Sequence, residues 1–532
     1  MTTEQQEIQA KNTYDESPYE SYPFAQTTIS NLKSIAHIFG LDTPNLETAR
    51  ILELGCASGG NIIPQAALYP KAKFVGVDLS AEQTKVGNNL IKEAGLKNVE
   101  IKTASITDID KSYGEFDYII CHGVLSWVPD FVREAIFKVC SERLSPTGVS
   151  YISYNTLPGW NMVRSIRDMM LYHSRGFENV EDQITQSALL LDFIKDTLEE
   201  SKAPYAEVLK QEAKVLSGQP RNYLRHDHME EENFQYYFYQ FMDQAAKNGL
   251  QYLGDASIGS MYIGNLPQKA IEKLGEIKDI VRSEQYMDFI TNRRFRSTIL
   301  CKNNIALNRN LSADLVKELH FSGAIKHNPD LTSKQIEDNS SVEFVSSVSE
   351  DSKLNSASPS MKAMLTIFSE NTHRLLKFDE IVKMIQAKLK NSKIDKNVIE
   401  AELAANLLRL MFSGYINFSL QPFTNVEKVS DKPKVWDFAR AQMSVNKNHW
   451  VTNLMHERIP VNVLDAHIVK YLDGKHNADD ICKKLADHLK KGDISINKGD
   501  KTVEDMKEIE NDIKKYISSV FDNLKKTKLL VS

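Results

Sequence analysis

Short apolar runs alternate with amphipathic stretches between residues 51 and 155. The apolar runs predict five strands, RILELG, KFVGVDLS, NVEIKTAS, FDYIICHG and GVSYISYN. The stretches between them carry apolar residues at helical spacing, and two of them, SAEQTKVGNNLIKEAGL and FVREAIFKVCSERLSP, reach a glycine or a proline where helices commonly end. Because strand and helix alternate regularly, the pattern predicts an α/β fold with a parallel sheet and crossover helices.

This alternation stops near residue 160, and residues 161–325 have mostly helical spacing. Residues 346–358 hold six serines in thirteen positions, which predicts a linker or mobile loop. Three helical patterns and strand-like residues follow, in the order of a winged-helix-like module. We expect four domains: an α/β domain over 1–165, a helical regulatory or dimerisation region over 166–325, a winged-helix-like middle domain over 326–430 and a C-terminal helical domain over 431–532.

Composition describes an ordinary soluble chain. Of the 532 residues 42% are hydrophobic and 26% charged, and the net charge of -6 disfavours a general affinity for nucleic acid. The five cysteines are scattered without CxxC spacing, which suits a reducing compartment and predicts neither a disulfide framework nor a zinc ribbon. The polar, acidic N-terminus does not resemble a signal peptide, and no apolar run reaches the ~18 residues of a membrane span. We therefore expect a cytoplasmic protein.

The stretch ILELGCASGGN predicts a strand, a glycine-rich turn and the start of a helix, an arrangement that holds nucleotides. Ala57 stands where the dinucleotide spacing requires glycine, and Asn61 stands near the place of the P-loop lysine. Glu53, two residues before Gly55, would repel a pyrophosphate but attract the ammonium group of a methionine moiety. Asp78, after the second strand, can accept hydrogen bonds from ribose hydroxyls. Together these residues favour S-adenosylmethionine as the cofactor.

The later strands strengthen this interpretation, because TASITDI after the third strand and FDYIICHGVLSWVP around the fourth are typical of the class I, Rossmann-like methyltransferase sheet. His122 and Trp127 follow the fourth strand, where open sheets bind ligands, so they either line the cofactor or acceptor pocket or simply pack. The predicted cofactor-binding residues are Glu53, Gly55, Cys56, Gly59, Asn61, Asp78, Leu79, Ser105, Ile106, His122 and Trp127.

Two members of this set are unusual. Ser105 occupies the place where many class I enzymes carry an acidic residue that accepts the adenine amine, and a hydroxyl is a weaker acceptor. The neighbouring backbone or Asp108 could supply that contact instead. Cys56 fits a small filler of the turn better than a reactive thiol.

RHDHMEEE contains residues that can bind metals, but its spacing argues against a metal site. His226 and His228 are two residues apart, which on a helix points them to different faces, and no third histidine follows at a fitting distance. We expect no metal, and we interpret the segment as a polar cluster that orients substrate or joins domains. The Asn/Asp-Pro-Pro-aromatic motif that clamps nucleobase amines is absent from the sequence.

ILELGCASGGNIIPQA, CHGVLSWVP and SYNTLPGW resemble the methyltransferases that carry a regulatory domain. RNYLRHDHMEEENFQYYFYQFMDQAAKNGLQYLGDA resembles that regulatory domain, and VTNLMHERIPVNVLDAHIVKYLDG resembles the C-terminal module of the same family. Within this group the chain is most similar to the rickettsial protein lysine methyltransferases. The resemblance implies a homodimer that methylates outer membrane protein B in the cytoplasm, before export.

The resemblance also implies acceptor-side roles. Tyr154 and Asn155, in SYNTLPGW, are expected near the methyl acceptor. Family position suggests that the N-terminal segment with Tyr14 folds over the cofactor or packs on the sheet as an arm. Tyr223 either lines the acceptor cavity or belongs to a core or dimer contact. The alternatives to a protein lysine methyltransferase are a small-molecule or RNA methyltransferase and a cofactor-sensing interaction protein.

Overall fold

A seven-stranded sheet forms the centre of the computed structural model, which describes residues 20–219, 221–230, 232–391, 394–445, 449–491, 497–498, 501–502 and 506–532. The strand order is β3-β2-β1-β4-β5-β7-β6, with β1 to β5 parallel and β7 antiparallel to both of its neighbours. The strands are β1 Arg50–Leu54, β2 Lys73–Asp78, β3 Val99–Thr103, β4 Phe116–Cys121, β5 Leu144–Asn155, β6 Leu250–Asp255 and β7 Phe295–Lys302.

Both faces of this sheet are covered, which explains why its strands are apolar throughout rather than alternating. On one face Ile51 and Tyr118 pack with the N-terminal helix Ile29–Ile38. On the other face Leu52 and Ile119 join a second core that includes the helix Asp130–Arg143. The carboxyl ends of β1, β2 and β4 therefore meet at one edge of a rigid sheet.

The five strands predicted from the apolar runs are confirmed, as is the α/β fold with a parallel sheet and crossover helices. The prediction of a mostly helical stretch over 161–325 missed β6 and β7, which complete the same sheet. Local spacing did not reveal them because β7 pairs with β5, a partner more than a hundred residues earlier in the chain. A boundary at residue 165 therefore separates strands of one sheet.

Helices surround the sheet and extend from it. Trp160–Ser174, Val180–Thr197 and Pro204–Ser217 share a small core of their own. The remaining helices up to residue 291 are Ile62–Leu68, Ala81–Glu93, Arg221–His228, Phe238–Lys247, Gln268–Leu274 and Ile280–Thr291.

A second, smaller sheet lies between residues 320 and 419, in the order β11-β8-β12. Its strands are β8 His320–Gly323, β11 Leu376–Lys377 and β12 Ile416–Ser419, and its helices are Pro359–Glu370, Phe378–Lys388 and Lys396–Phe412. The predicted three helices followed by a strand are present, whereas the bounds 326–430 stay a prediction. The predicted linker is partly wrong, because β9 Val342–Val345 and β10 Lys353–Ser356 form an antiparallel hairpin across it, after the short helix Ser333–Glu337.

The C-terminal region returns to the central sheet through a hairpin of β13 Trp450–Thr452 and β14 Arg458–Pro460. Its helices are Asp437–Val445, Val463–Tyr471, Ala478–Lys491 and Met506–Lys526, and β15 Asn497–Lys498 pairs with β16 Lys501–Thr502. Within the part of the chain that the structure describes, none of the helices has the length and apolar character needed to cross a membrane.

Candidate functional site at the carboxyl edge of the sheet

The glycine-rich turn directly follows β1 and is tightly folded. Gly55, Ala57 and Gly59 all have positive φ, at 68°, 47° and 77°. A Cβ at Gly55 would lie 2.5 Å from Cγ2 of Val124, in the loop after β4. Glycine is therefore required at this position by both backbone conformation and space.

Asp78 joins this turn to the helix that begins at residue 81. One carboxylate oxygen accepts a hydrogen bond from the backbone N–H of Ala57 at 2.7 Å, and the other accepts from the backbone N–H of Ser80 at 3.0 Å. Asp78 is thus held against the glycine-rich turn, and its predicted contact with ribose stays a prediction. Leu79 lies half-buried beside it.

Glu53 is the unusual group of the site, because its carboxyl is buried beneath the turn. Oε1 accepts a hydrogen bond from Nδ2 of Asn61 at 2.7 Å, while Oε2 is buried with no hydrogen-bond partner. Burial raises the pKa of Glu53 to about 8; the Asn61 hydrogen bond opposes this rise and the charge of Asp78 adds to it. Burial therefore favours the protonated form of this carboxyl near neutral pH.

Asn61 connects three parts of the chain. Its Oδ1 accepts hydrogen bonds from the backbone N–H of Phe24 at 3.0 Å and from the Thr27 hydroxyl at 2.9 Å. Nε2 of His456, in the turn between β13 and β14, lies 2.8 Å from the same oxygen. Sequence reasoning missed His456, since nothing in MHERIP distinguishes it from any other histidine.

His122 lies across the edge from the turn, at the end of β4. Its Nδ1 lies 2.9 Å from the Tyr151 hydroxyl and 3.0 Å from Oγ of Ser153, and its ring centroid lies 4.0 Å from that of Phe24. Burial lowers the pKa of His122 to about 4, so the ring is neutral at physiological pH. His122 is therefore an uncharged aromatic group at this edge of the sheet.

Trp127 and Asn155 lie near His122, after β4 and at the end of β5. The Trp127 ring meets that of Trp160 edge-on at 6.2 Å between centroids, and the backbone N–H of Asn155 donates to Oγ of Ser126 at 2.9 Å. Nδ2 of Asn155 is buried with no hydrogen-bond partner. An aromatic surface and an unpaired amide donor therefore adjoin the end of β5.

Ser105 and Asp108 form a reciprocal cap on a short 3-10 helix, Ile106–Asp108. The Ser105 hydroxyl accepts from the backbone N–H of Thr107 at 3.3 Å, and Asp108 accepts from the backbone N–H of Ser105 at 3.2 Å. Both residues raised as acceptors for adenine thus organise one loop after β3. Ile106 is buried beneath it.

Cys56 is buried inside the turn, and burial raises the pKa of its thiol well above the usual value. A Cβ at Gly76 would lie 2.7 Å from its Sγ, so the thiol fills the space that this glycine leaves on β2. This geometry favours the interpretation of Cys56 as a filler, because a protonated, enclosed thiol is a poor nucleophile.

Of the predicted acceptor-side tyrosines, Tyr154 and Tyr223 lie in two different cores. Tyr154 is buried in the core, where its ring stacks on Phe241 at 4.2 Å and its hydroxyl lies 3.2 Å from that of Thr298. Tyr223 packs beside His228 at 5.6 Å between ring centroids, within the helical region. Tyr14 lies outside the described residues. Their catalytic roles stay predictions.

The residues of this edge fit S-adenosylmethionine. The unpaired oxygen of Glu53 provides an acceptor for an ammonium group, and the side chain that contacts the other oxygen, Asn61, is uncharged. Gly123, next to His122, has positive φ and no atom within 4 Å of an added Cβ, which leaves open space at the edge. Among the described residues no group of three or more His, Cys, Asp or Glu side chains is arranged to hold a metal ion.

Family models match three parts of the chain. Residues 51–148 match a methyltransferase domain, residues 220–302 the predicted methyltransferase regulatory domain and residues 431–529 the C-terminal winged helix domain of PKMT. The last match assigns a winged helix to the region for which the sequence predicted only helices.

Comparison with whole proteins extends this result. An uncharacterized protein of Rickettsia prowazekii is 48% identical over 523 residues, covering 98% of this chain and 94% of the relative. The structure of PKMT2 from Rickettsia typhi is 37% identical, with a TM-score of 0.86, and covers 97% of this chain and 100% of that one. The same protein in complex with AdoHcy gives a TM-score of 0.87. The chain therefore belongs to the S-adenosylmethionine-dependent protein lysine methyltransferases, the PKMT family.

Proposed function

We propose that this methyltransferase modifies lysine side chains of a bacterial surface protein, outer membrane protein B, in the cytoplasm before that protein is exported. Support for the substrate comes from the similarity to the rickettsial enzymes over nearly the whole chain. The single structural observation that carries methyl transfer is the buried Glu53 carboxyl with one unpaired oxygen under the glycine-rich turn.

In this proposal Glu53 and Asn61 receive the amino-acid end of the cofactor, and Asp78 receives the ribose. Gly55, Gly59 and the loop of Ser105 and Ile106 border the nucleoside. S-adenosylmethionine supplies, when bound, a methyl group on a positively charged sulfur. Since burial keeps His122 neutral, the ring does not repel this charge, and its aromatic neighbour Phe24 attracts it.

The acceptor side must provide a neutral amine. A lysine in water has a pKa of about 10.4 and arrives protonated, so it has to lose its proton before it can react. Contact with Trp127 and Trp160 would remove water from the ammonium group and lower its pKa. In this proposal the unpaired amide of Asn155 orients a polar group of the substrate, and its lack of a hydrogen-bond partner supports that role.

We also propose that the chain is a homodimer whose interface lies in the helical region after residue 160. Several large apolar side chains are exposed on these helices: Tyr172, Leu189, Phe193, Tyr205 and Val215. A second copy of the chain would remove them from water. Sedimentation of the full chain tests this, with Phe193→Asp expected to shift it towards the monomer.

The experiment that tests the substrate is incubation with labelled S-adenosylmethionine and purified outer membrane protein B, with RNA and a metabolite extract in parallel. Mass spectrometry then maps the modified residues. We expect label on lysines of the protein, and Glu53→Gln should reduce it about tenfold or more because a charge-assisted contact is lost. Glu47→Gln, at an exposed position, is the matched control. Label in RNA or metabolites alone would overturn the proposal.

A further inference from the structure

The turn of the C-terminal hairpin reaches the cofactor site of the central sheet. We infer that His456 is a positioning residue for the cofactor: it holds Asn61, which in turn holds Glu53. The inference rests on S-adenosylmethionine occupying the glycine-rich turn, as in the proposed function, but it does not depend on the identity of the methyl acceptor.

The hydrogen-bond partners determine the orientation of the Asn61 amide and the tautomer of His456. The backbone N–H of Phe24 can only donate, so the Asn61 atom that it contacts at 3.0 Å must be the oxygen. Nδ2 of Asn61 then faces Glu53 at 2.7 Å. Because Nε2 of His456 lies 2.8 Å from the Asn61 oxygen, Nε2 must carry the hydrogen.

The turn that contains His456 fixes the position of its side chain. Oδ1 of Asn453 accepts hydrogen bonds from the backbone N–H groups of Met455 and Glu457, at 2.9 and 2.8 Å. His456 between them has φ of 60°, a left-handed conformation that is uncommon for a side chain larger than glycine. The imidazole is buried, and burial lowers its pKa to about 3, so it acts as a neutral donor.

The N-terminal segment 21–24 is held between the two regions. The backbone N–H of Gly60 donates to Oγ of Ser21 at 2.8 Å. From the other side the Tyr22 ring lies 5.4 Å from that of Trp450, with the Arg458 guanidinium 4.1 Å above Tyr22. The segment therefore contacts both the glycine-rich turn and the C-terminal hairpin, and His456 of the hairpin contacts Asn61 directly.

Loss of the His456 donor should leave the Asn61 side chain less firmly held. Asn61 would keep the Phe24 and Thr27 donors but lose the one that approaches from the C-terminal region. Its amide would then be less firmly directed at Glu53, and the acceptor for the ammonium group would be less well oriented. The expected loss is in cofactor affinity rather than in the chemical step.

The test uses full-length protein and S-adenosylhomocysteine, with calorimetry for affinity and initial rates for KM and kcat. His456→Asn tolerates the left-handed conformation but is too short to reach Asn61, whereas His456→Gln places an amide donor at about the reach of Nε2. We expect His456→Asn to weaken binding about tenfold and to raise KM more than it lowers kcat. His456→Gln should recover most of the affinity.

His476→Asn is the matched control, since His476 lies in the same region and its Nδ1 lies 2.9 Å from the Asp473 carboxylate, away from Asn61. It should bind like the wild type. Folded His456→Asn with unchanged affinity, or His456→Gln no better than His456→Asn, would overturn the inference.

A second measurement needs no variant. Binding of S-adenosylhomocysteine to the wild type should slow hydrogen exchange in residues 449–461, but not in the helix Pro359–Glu370. Unchanged exchange in the hairpin would count against the role of His456. Failure of the wild type to bind the ligand would instead refute the proposed function, and binding without methylation of outer membrane protein B would refute only its substrate.

Discussion

Two turns with left-handed residues meet at Asn61, and they differ in how they are built. The turn after β1 owes its shape mainly to Gly55 and Gly59, which adopt positive φ without strain, and Ala57 between them has a φ of 47°. The turn between β13 and β14 places a histidine in the same conformation and is held by the side chain of Asn453. The glycines leave backbone groups of the first turn uncovered by side chains. The second turn instead places one side chain, that of His456, in contact with Asn61.

This difference in construction also explains why only the glycine-rich turn was recognised from the sequence. Glycines spaced after an apolar strand, with acidic residues at the ends of β1 and β2, carry a chemical meaning in a single stretch of sequence. His456 gains its role only from a contact with a residue almost four hundred positions earlier. Disabling each turn separately would show whether the two contribute differently to binding.

The largest effect is expected at Asp78, which ties the glycine-rich turn to the next helix through two backbone hydrogen bonds. Asp78→Ala should weaken S-adenosylmethionine binding about 100-fold, because it removes charge-assisted bonds to the turn and the proposed bonds to ribose. Calorimetry measures the affinity, and circular dichroism checks the fold. Unchanged affinity would remove Asp78 from the site.

Asp117→Ala is the control for this variant. Asp117 accepts a backbone hydrogen bond from Arg50 at 2.9 Å and one from the Ser145 hydroxyl at 2.8 Å, so it has a similar set of partners. It lies at the start of β4, away from the carboxyl edge. We expect a loss of stability with little change in affinity.

Glu53→Gln should change stability and binding in opposite directions. The unfolded chain ionises Glu53 near the ordinary glutamate pKa of 4.5, whereas the folded chain keeps the proton until about pH 8, so the folded state loses stability as the pH rises between these values. At pH 7 the glutamine variant should therefore be more stable without ligand, by about 3 kcal/mol at most. Its affinity for S-adenosylmethionine should fall about tenfold.

Thermal unfolding with and without the ligand measures both effects. The wild type should gain more from saturating ligand than the variant does, because only a carboxylate can pair with the ammonium group. A variant that is less stable than the wild type at pH 7 would show that the buried carboxyl does not destabilise the folded chain at that pH.

The pH dependence of binding follows from the same carboxyl. Below pH 8 the free protein holds a proton on Glu53, and an approaching ammonium favours its release. Affinity should therefore rise several-fold from pH 6 to pH 8 and then level off. Calorimetry in buffers of different ionisation enthalpy should detect release of up to one proton, which Glu53→Gln abolishes.

How far the sequence predicts this site depends on the distance between partners. The strands β1 to β5 follow from the local alternation of apolar and amphipathic stretches, and the glycine-rich turn follows from the glycines after β1. The strands β6 and β7, the hairpin at 342–356 and the contact of His456 depend on partners that local periodicity does not reveal. The ring of Tyr154 stacks on Phe241 in the core, and the place near the acceptor that its motif suggested stays a prediction.

The smallest expected effect lies in the C-terminal turn. Asn453→Ala removes the two backbone hydrogen bonds that Oδ1 accepts in the turn. It also removes those that Nδ2 donates to the Glu457 carboxylate at 2.7 Å and to the Thr527 carbonyl at 2.9 Å. Because Asn453 is buried, the variant should lower stability by about 1–3 kcal/mol. It should also weaken S-adenosylhomocysteine binding a few-fold, because His456 is then less firmly held in its left-handed conformation.

Asn462→Ala separates the two effects. Asn462 caps the helix Val463–Tyr471 by accepting a hydrogen bond from the backbone N–H of Asp465 at 2.8 Å, so its loss should cost about 1 kcal/mol of stability. It lies in the same C-terminal region but does not hold His456. If both variants weakened binding equally, general loosening of this region would explain the result. A loss confined to Asn453→Ala means that the histidine turn itself, through Asn61, completes a site whose other turn belongs to the central sheet.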